Sequence, residues 1–375
     1  MTYNKKDKFL FPKLKQVPIE IYVLVIPALL LSIVVFTCTE SILRLDPLTI
    51  LENSIGFTSL LGGHKFFIAF ASLWIIIGLL TLRNYKQTCN QLNVRAIGTL
   101  AGTTLLFSTV GIITGMSTLL IYYSVPEVTA LKSTLFLDTI ERNLFGDLPA
   151  TLFIKIFNGT FFEILFLYSY HYLFLVFSFT LILAAFKNKI MLRKMMISFF
   201  VAFILSIPIW MLVPATSPDG LYVANVFNLE KTDNLDYQST SVIFQKFNSF
   251  YHRVWIDDDN NRINISSFPS LHAAWGLIVI WAIYRIKRRF FPIAAFWFLF
   301  EIIGAFYSLQ HYFIDLIMGI LFGAIAILFT EVIINFEKKY YTGLDYYSFC
   351  EILDKITFKP QIPHDSTVNS SLDKV

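Results

Sequence analysis

Residues 271–334 read LHAAWGLIVIWAIYRIKRRFFPIAAFWFLFEIIGAFYSLQHYFIDLIMGILFGAIAILFTEVII. Three apolar runs, 271–286, 290–309 and 312–334, are separated by a basic turn at 285–289 and by a short polar turn ending in Gln310-His311. A helix needs about 20 apolar residues to cross the hydrocarbon core of a bilayer. The stretch therefore predicts three successive membrane helices. The same pattern continues upstream, at roughly 21–38, 66–82, 97–123, 161–186 and 195–213, for about eight spans in all. The expected fold class is all-α, a polytopic membrane helix bundle.

Composition leads to the same class. The chain is 56% hydrophobic and only 15% charged, with a mean hydropathy of +0.63, whereas a soluble globule carries about 25% charged residues. Soluble-enzyme folds, disulfide scaffolds and disordered proteins are excluded. The net charge of +4 is small and scattered, so nucleic acid is not an expected partner. Cys38, Cys89 and Cys350 lie far apart with no metal-ligand spacing, which predicts neither a zinc site nor a disulfide framework.

Lys and Arg collect in the short cytoplasmic loops of membrane proteins. Here they fall in the amino tail (Lys5, Lys6, Lys8, Lys13, Lys15) and after the second span (Arg83, Lys86, Arg95). They recur after the fourth span (Lys187, Lys189, Arg193, Lys194) and after the sixth (Arg285, Lys287, Arg288, Arg289). With eight spans all four groups share one side, so both termini are expected in the cytoplasm. The first apolar run has no small-residue cleavage site and reads as a span, not a removed signal peptide. Three long segments, 39–65, 124–160 and 214–270, then face outward. The second has an amphipathic pattern broken by Gly-Asp-Leu-Pro at 146–149, which predicts a pair of interfacial helices. The polar end of the chain reads as a cytoplasmic, partly disordered tail.

Two motifs carry chemistry. FPSLHAAW, Phe268 to Trp275, opens the sixth span, and QHYFIDLIMG, Gln310 to Gly319, opens the eighth. One helical hairpin lies between them, so His272 and His311 are expected on one membrane face at one depth. Asp315 follows His311 by four residues and would stack on it along a helix. A carboxylate there can accept the second imidazole N–H, fixing the tautomer and raising nucleophilicity. Pro269 is expected to begin the sixth helix. Ser267 and Ser270, with the first-turn amides, make a candidate anion site. A carboxylate-held imidazole facing a second imidazole at an anion-binding helix start suits phosphoryl transfer.

These motifs resemble those of the type-2 phosphatidic acid phosphatase superfamily, in the branch containing inositol phosphorylceramide synthase. FPSLHAAW is similar to that branch's form of the second superfamily motif, and QHYFIDLIMG to its third. LVPATSPDGLY at 212–222 and ERNLFGDLP at 141–149 are similar to further family stretches, so the likeness covers about residues 140–335. Two departures stand out. Gly304 and Ala305 occupy the positions where the superfamily carries a Ser-Arg pair before the third-motif histidine, and the Lys and Arg-Pro of the first motif have no close copy. Arg253, in HRVWID at 252–257, is the leading candidate for phosphate neutralisation, with Lys246 and Arg262 as alternatives.

The resemblance implies a six-helix catalytic core within residues 131–335. Residues 1–130 form an amino-terminal part with three spans, and residues 336–375 form the carboxyl tail. It further implies that His311 attacks a lipid phosphorus to form a phosphohistidine, with His272 as acid and then base, and that no metal or other cofactor takes part. A phospholipid donor with a lipid alcohol acceptor such as ceramide makes the protein a head-group transferase acting on the non-cytoplasmic face. Water as acceptor makes it a lipid phosphate or polyprenyl pyrophosphate phosphatase. A transporter or channel is the reading from another class; it leaves the paired histidine motifs unexplained.

Overall fold

The computed structural model describes residues 19–38, 109–118, 120–122, 124–227, 240–255 and 265–340. The described chain is helical, with no strand among the described residues and one isolated parallel bridge between Ala215 and Ser266. The helices are α1 (Ile21–Cys38), α2 (Thr109–Tyr122), α3 (Glu127–Phe145), α4 (Pro149–Phe157), α5 (Phe161–His171) and α6 (Leu173–Lys187). After them come α7 (Lys189–Leu212), α8 (Val242–Trp255), α9 (Leu271–Ile286), α10 (Phe291–Tyr307) and α11 (Phe313–Tyr340).

Four helices are long and apolar enough to cross a membrane: α1, α7, α10 with its preceding turn, and α11. The number becomes six if the bent pairs α2–α3 and α5–α6 each count as one span, and α9 is a shorter apolar helix. The span expected at 66–82 and the start of the one at 97–123 lie outside the described residues. The span expected at 161–186 is two helices bent by 56° at Tyr172. Its first half packs on α10 and its second on α9 and α7, so the bend lets one apolar run serve two neighbours. Gly146, at φ 81°, ends α3, and Pro149 starts α4, giving the helix–break–helix that the Gly-Asp-Leu-Pro pattern predicts. Five charged residues along α3 (Glu127, Lys132, Asp138, Glu141, Arg142) mark it as a surface helix, not a span.

At the centre stands α9, in contact with α6, α7, α10 and α11. Its short side chains at Ala273, Ala274 and Ala282 are wholly buried, which allows those neighbours to close in. On α11 the opposite face is apolar and exposed at Ile317, Leu321, Leu328, Val332 and Phe336. Such a stripe is costly in water and ordinary against lipid. At the other end of the bundle, Arg193 of α7 bonds Glu20 and Glu337 at 2.5 Å each, joining α1 to α11.

A close approach of α9 and α11 sets the geometry of the candidate site. A Cβ on Gly319 of α11 would lie 2.1 Å from the Ser270 carbonyl oxygen and 3.0 Å from Ala273 Cβ. Only glycine lets the second turn of α11 touch the start of α9 there. Gly319→Ala is expected to destabilise the protein by about 1–3 kcal/mol through overpacking. It should also lower turnover by about 100-fold, because reacting groups displaced by about 1 Å lose alignment. Thermal unfolding and turnover of the one variant check both; a variant with normal turnover would show that the contact does not set the spacing of the site.

Candidate active site

His311 lies before α11, not within it. The chain leaves α10 through Leu309, a fully buried residue with φ 61°, while the Gln310 and His311 amides both return to the Ala305 carbonyl at 3.2 Å. This reversal turns the His311 ring toward the start of α9, and its centroid comes to 5.6 Å from that of His272. The two histidine motifs therefore meet side by side.

The mouths of α9 and α11 are stitched together by short polar bonds. The Ser270 amide donates to the Asp315 carbonyl at 3.0 Å. The Ser267 hydroxyl donates to Asp315 Oδ2 at 2.5 Å, and the Tyr312 amide to the same oxygen at 2.9 Å. His311 Nδ1 lies 3.2 Å from the Ser267 carbonyl oxygen. A carbonyl can only accept, so this bond places the proton on Nδ1 and leaves the lone pair on Nε2. Ser270, the N-cap of α9, faces Nε2 at 3.2 Å and is able to donate to it.

Two expectations change in detail. Asp315 Oδ2 stands 3.6 Å from His311 Nδ1, beyond a hydrogen bond. The helical i to i+4 stacking does not form because α11 begins two residues after His311, and the carboxylate instead caps that helix start. Asp315 acts on His311 as a nearby buried charge and through Ser267, which both touch. Pro269 is not the first residue of α9 but precedes its N-cap, Ser270. The hydroxyls of Ser267 and Ser270 are engaged with Asp315 and His311, so they hold the imidazole in place as well as standing where an anion would bind.

The phosphate-neutralising candidates fare differently. Lys246 is exposed on α8. Arg253 belongs to the same helix, but its side chain lies outside what the structure describes, and Arg262 lies outside the described residues altogether. Arg142 is occupied by Asp138 at 2.9 Å, Asp147 at 3.0 Å and the Tyr222 hydroxyl at 3.1 Å. Gly304, at one of the positions where the superfamily pattern carries Ser-Arg, packs against a backbone: a Cβ there would sit 2.0 Å from the Phe166 carbonyl oxygen. Ala305 beside it is fully buried. A side chain at 304 would have to displace that backbone.

A small cleft contains both histidines. Its described lining is aromatic (Tyr170, Trp210, Trp275), hydroxyl (Ser217, Ser266, Ser267) and amide (Gln310). Tyr170 brings its ring to 4.6 Å from His272. Among the described residues no three His, Cys, Asp or Glu side chains are grouped to hold a metal ion. Sequence reasoning missed Tyr170, Trp210 and Trp275 as lining because each sits in an apolar run where an aromatic is unremarked. It also missed Glu141, whose Oε1 accepts from the Ile314 amide at 3.0 Å and so caps α11 from the surface helix α3. Its segment, ERNLFGDLP, reaches the site through this bond. So does the 212–222 stretch, where Ala215 accepts from the Ser267 amide at 3.1 Å.

Burial raises the Glu141 carboxyl to about 7, with the Ile314 N–H pulling weakly the other way. Between about 4.5 and 7 the folded protein thus keeps a proton that the unfolded chain has released. Stability contributed by this group is present below pH 4.5 and is lost as pH rises through 7. Glu141→Gln should flatten the pH dependence of the unfolding midpoint across that window; an unchanged profile would mean that Glu141 titrates at its ordinary value.

A family model described as the PAP2 superfamily matches residues 135–329 of the chain. Comparison with curated proteins and with solved structures finds no match. The matched residues run from α3 into α11 and include every group of the site just described.

Proposed function

Because the chain belongs to the PAP2 superfamily, whose members are phosphatases or phosphotransferases, it is an enzyme of that type, and we propose that it moves a phosphorylated head group from a phospholipid to a lipid alcohol. His311 Nε2 attacks the phosphorus of the donor phosphodiester, the bond to the leaving lipid alkoxide breaks, and His272 supplies the proton that the alkoxide needs. The head group is then held on His311 as a phosphodiester-like phosphohistidine. His272 takes the proton of the acceptor hydroxyl, whose oxygen attacks the phosphorus and frees His311. Ser270, which must leave Nε2 for the attack, is placed to turn its hydroxyl to a phosphoryl oxygen. The charge of Asp315 favours the cationic imidazole that develops.

The observation supporting transfer over simple phosphate hydrolysis is the pair Gly304, packed on a backbone, and Ala305, buried and uncharged. Hydrolysis of a phosphomonoester brings up to two negative charges into the cleft, and the superfamily pattern supplies an arginine at that place. Here that place holds the fully buried, uncharged Ala305, while the cleft offers hydroxyl and amide donors suited to the single charge of a phosphodiester. An inositol phosphate-like head group and a ceramide-like acceptor fit this scheme and the branch that the motifs resemble.

We place the reaction on the non-cytoplasmic face, with both termini in the cytoplasm. Support comes from α9, which carries His272 at one end and the exposed cluster Arg285, Lys287, Arg288 and Arg289 at the other. Its 16 residues span about 24 Å, less than the hydrocarbon core of about 30 Å, so its mouth lies below the head-group surface. The test is a reconstitution with head-group-labelled phosphatidylinositol, with and without ceramide or diacylglycerol. Transfer predicts label in a new lipid only when the alcohol is present. Release of water-soluble label at a rate indifferent to the alcohol would overturn the assignment in favour of hydrolysis.

A further inference from the structure

The turn between α9 and α10, at the end of the bundle away from the histidines, carries four cations for which the described residues supply no carboxylate. Arg285, Lys287, Arg288 and Arg289 are all exposed, and among the described residues none of them forms an ion pair. Arg193 and Lys194 of α7, at the same end, are spent inside the bundle: Arg193 on Glu20 and Glu337, Lys194 on Glu331 at 2.5 Å. The turn sets its cations on aromatic rings instead. Lys287 Nζ lies 5.4 Å and the Arg289 guanidinium carbon 4.9 Å from the centre of one ring, that of Phe290, and Arg288 lies 5.4 Å from that of Tyr284. A ring face accepts N–H groups only weakly, so the donors remain available. Two like charges drawn to one ring repel each other, and an anion between them relieves that repulsion.

Position identifies the anion. The turn runs directly into α10, and Arg288–Tyr307 forms one apolar span of 20 residues. Ile293 follows Arg289 by four residues and Phe296 follows Ile293 by three, which puts all three on one side of that span. Ile293 is 68% exposed and Phe296 60%. In a membrane helix such a stripe faces hydrocarbon, and the cations stand where it ends, at the depth of lipid phosphates. A ligand that fits both parts has a phosphate above and an alkyl chain below. A free phosphate ion or an acidic protein segment leaves the stripe unused. We infer that this turn binds an anionic phospholipid, its phosphate held by Lys287, Arg288 and Arg289 and one acyl chain lying along Ile293 and Phe296. The site belongs to the leaflet opposite the histidine cleft and does not depend on the reaction assigned there.

The experiment compares dioleoyl phosphatidylglycerol with dioleoyl phosphatidylcholine, which share acyl chains and differ in charge. Binding of each to the full-length protein in detergent micelles is measured by native mass spectrometry. Wild type should prefer the anionic lipid, and the preference should shrink as salt is raised. Lys287→Gln, Arg288→Gln and Arg289→Gln should each lower the preference by about 5-fold, and the triple variant by about 100-fold. Replacing the exposed Lys132 and Lys155 of α3 and α4 by glutamine should leave it unchanged. Soluble glycerophosphoglycerol, which has the same phosphate and no chains, should not displace the lipid at equal concentration. Equal binding of the two lipids by wild type, or displacement by the soluble head group, would overturn the inference without any variant. So would a preference that survives in the triple variant, which would place the anionic lipid elsewhere, or an equal loss in the Lys132 and Lys155 control.

Discussion

Replacement of His311 by glutamine is expected to lower turnover by on the order of 10⁴-fold or more while the fold survives. The nucleophilic nitrogen disappears, and none of the neighbouring groups substitutes for it. Ser270 and Ser267 contact the ring at 3.2 Å on either side, so both nitrogens are located by the protein before substrate arrives. Glutamine keeps a donor and an acceptor of similar reach, and unfolding should shift by only a few degrees. A variant that folds normally and still turns over lipid at more than about one hundredth of the wild-type rate would remove His311 from the chemistry.

The second large effect is selective, and it separates the two histidines. His272 has aromatic neighbours, Tyr170 at 4.6 Å and Phe174 at 5.9 Å, and stands beside His311 with ring centroids 5.6 Å apart. In the proposed mechanism it carries protons and forms no bond to phosphorus. His272→Ala should therefore slow a donor with a lipid alkoxide leaving group by about 10²–10⁴-fold. A donor with an aryl leaving group, which departs as a stable anion, should lose far less in the first step. Pre-steady-state rates for both donors check this. Equal losses would contradict the acid role.

Much of the bundle is legible in the sequence because long apolar runs and basic turns are set by the bilayer, not by subtle packing. The two histidine motifs are legible for a related reason: each opens a helix next to a turn, and one hairpin between them is enough to bring their mouths together. What the sequence does not reveal depends on close approach. The partner of His311 Nδ1 is a backbone carbonyl of Ser267, which no spacing rule points to, and Asp315 is drawn to the Tyr312 amide because α11 starts later than its apolar run. The loss of an arginine at position 305 is visible in the sequence, but the backbone of Phe166 packed against the neighbouring Gly304 is not. Glu141 is equally hidden, since its bond to the Ile314 amide comes from a distant segment folding over the start of α11.

The central claim is that the head group passes through His311. The direct measurement mixes enzyme with a head-group-labelled phospholipid for milliseconds, quenches in alkali, where phosphohistidine survives, and maps the adduct by peptide mass spectrometry. The account predicts a phosphoryl head-group adduct on the peptide containing His311, retained when acceptor alcohol is withheld and discharged when it is added. An adduct on another residue, or lipid product formed with no adduct on His311 at any time, would contradict it.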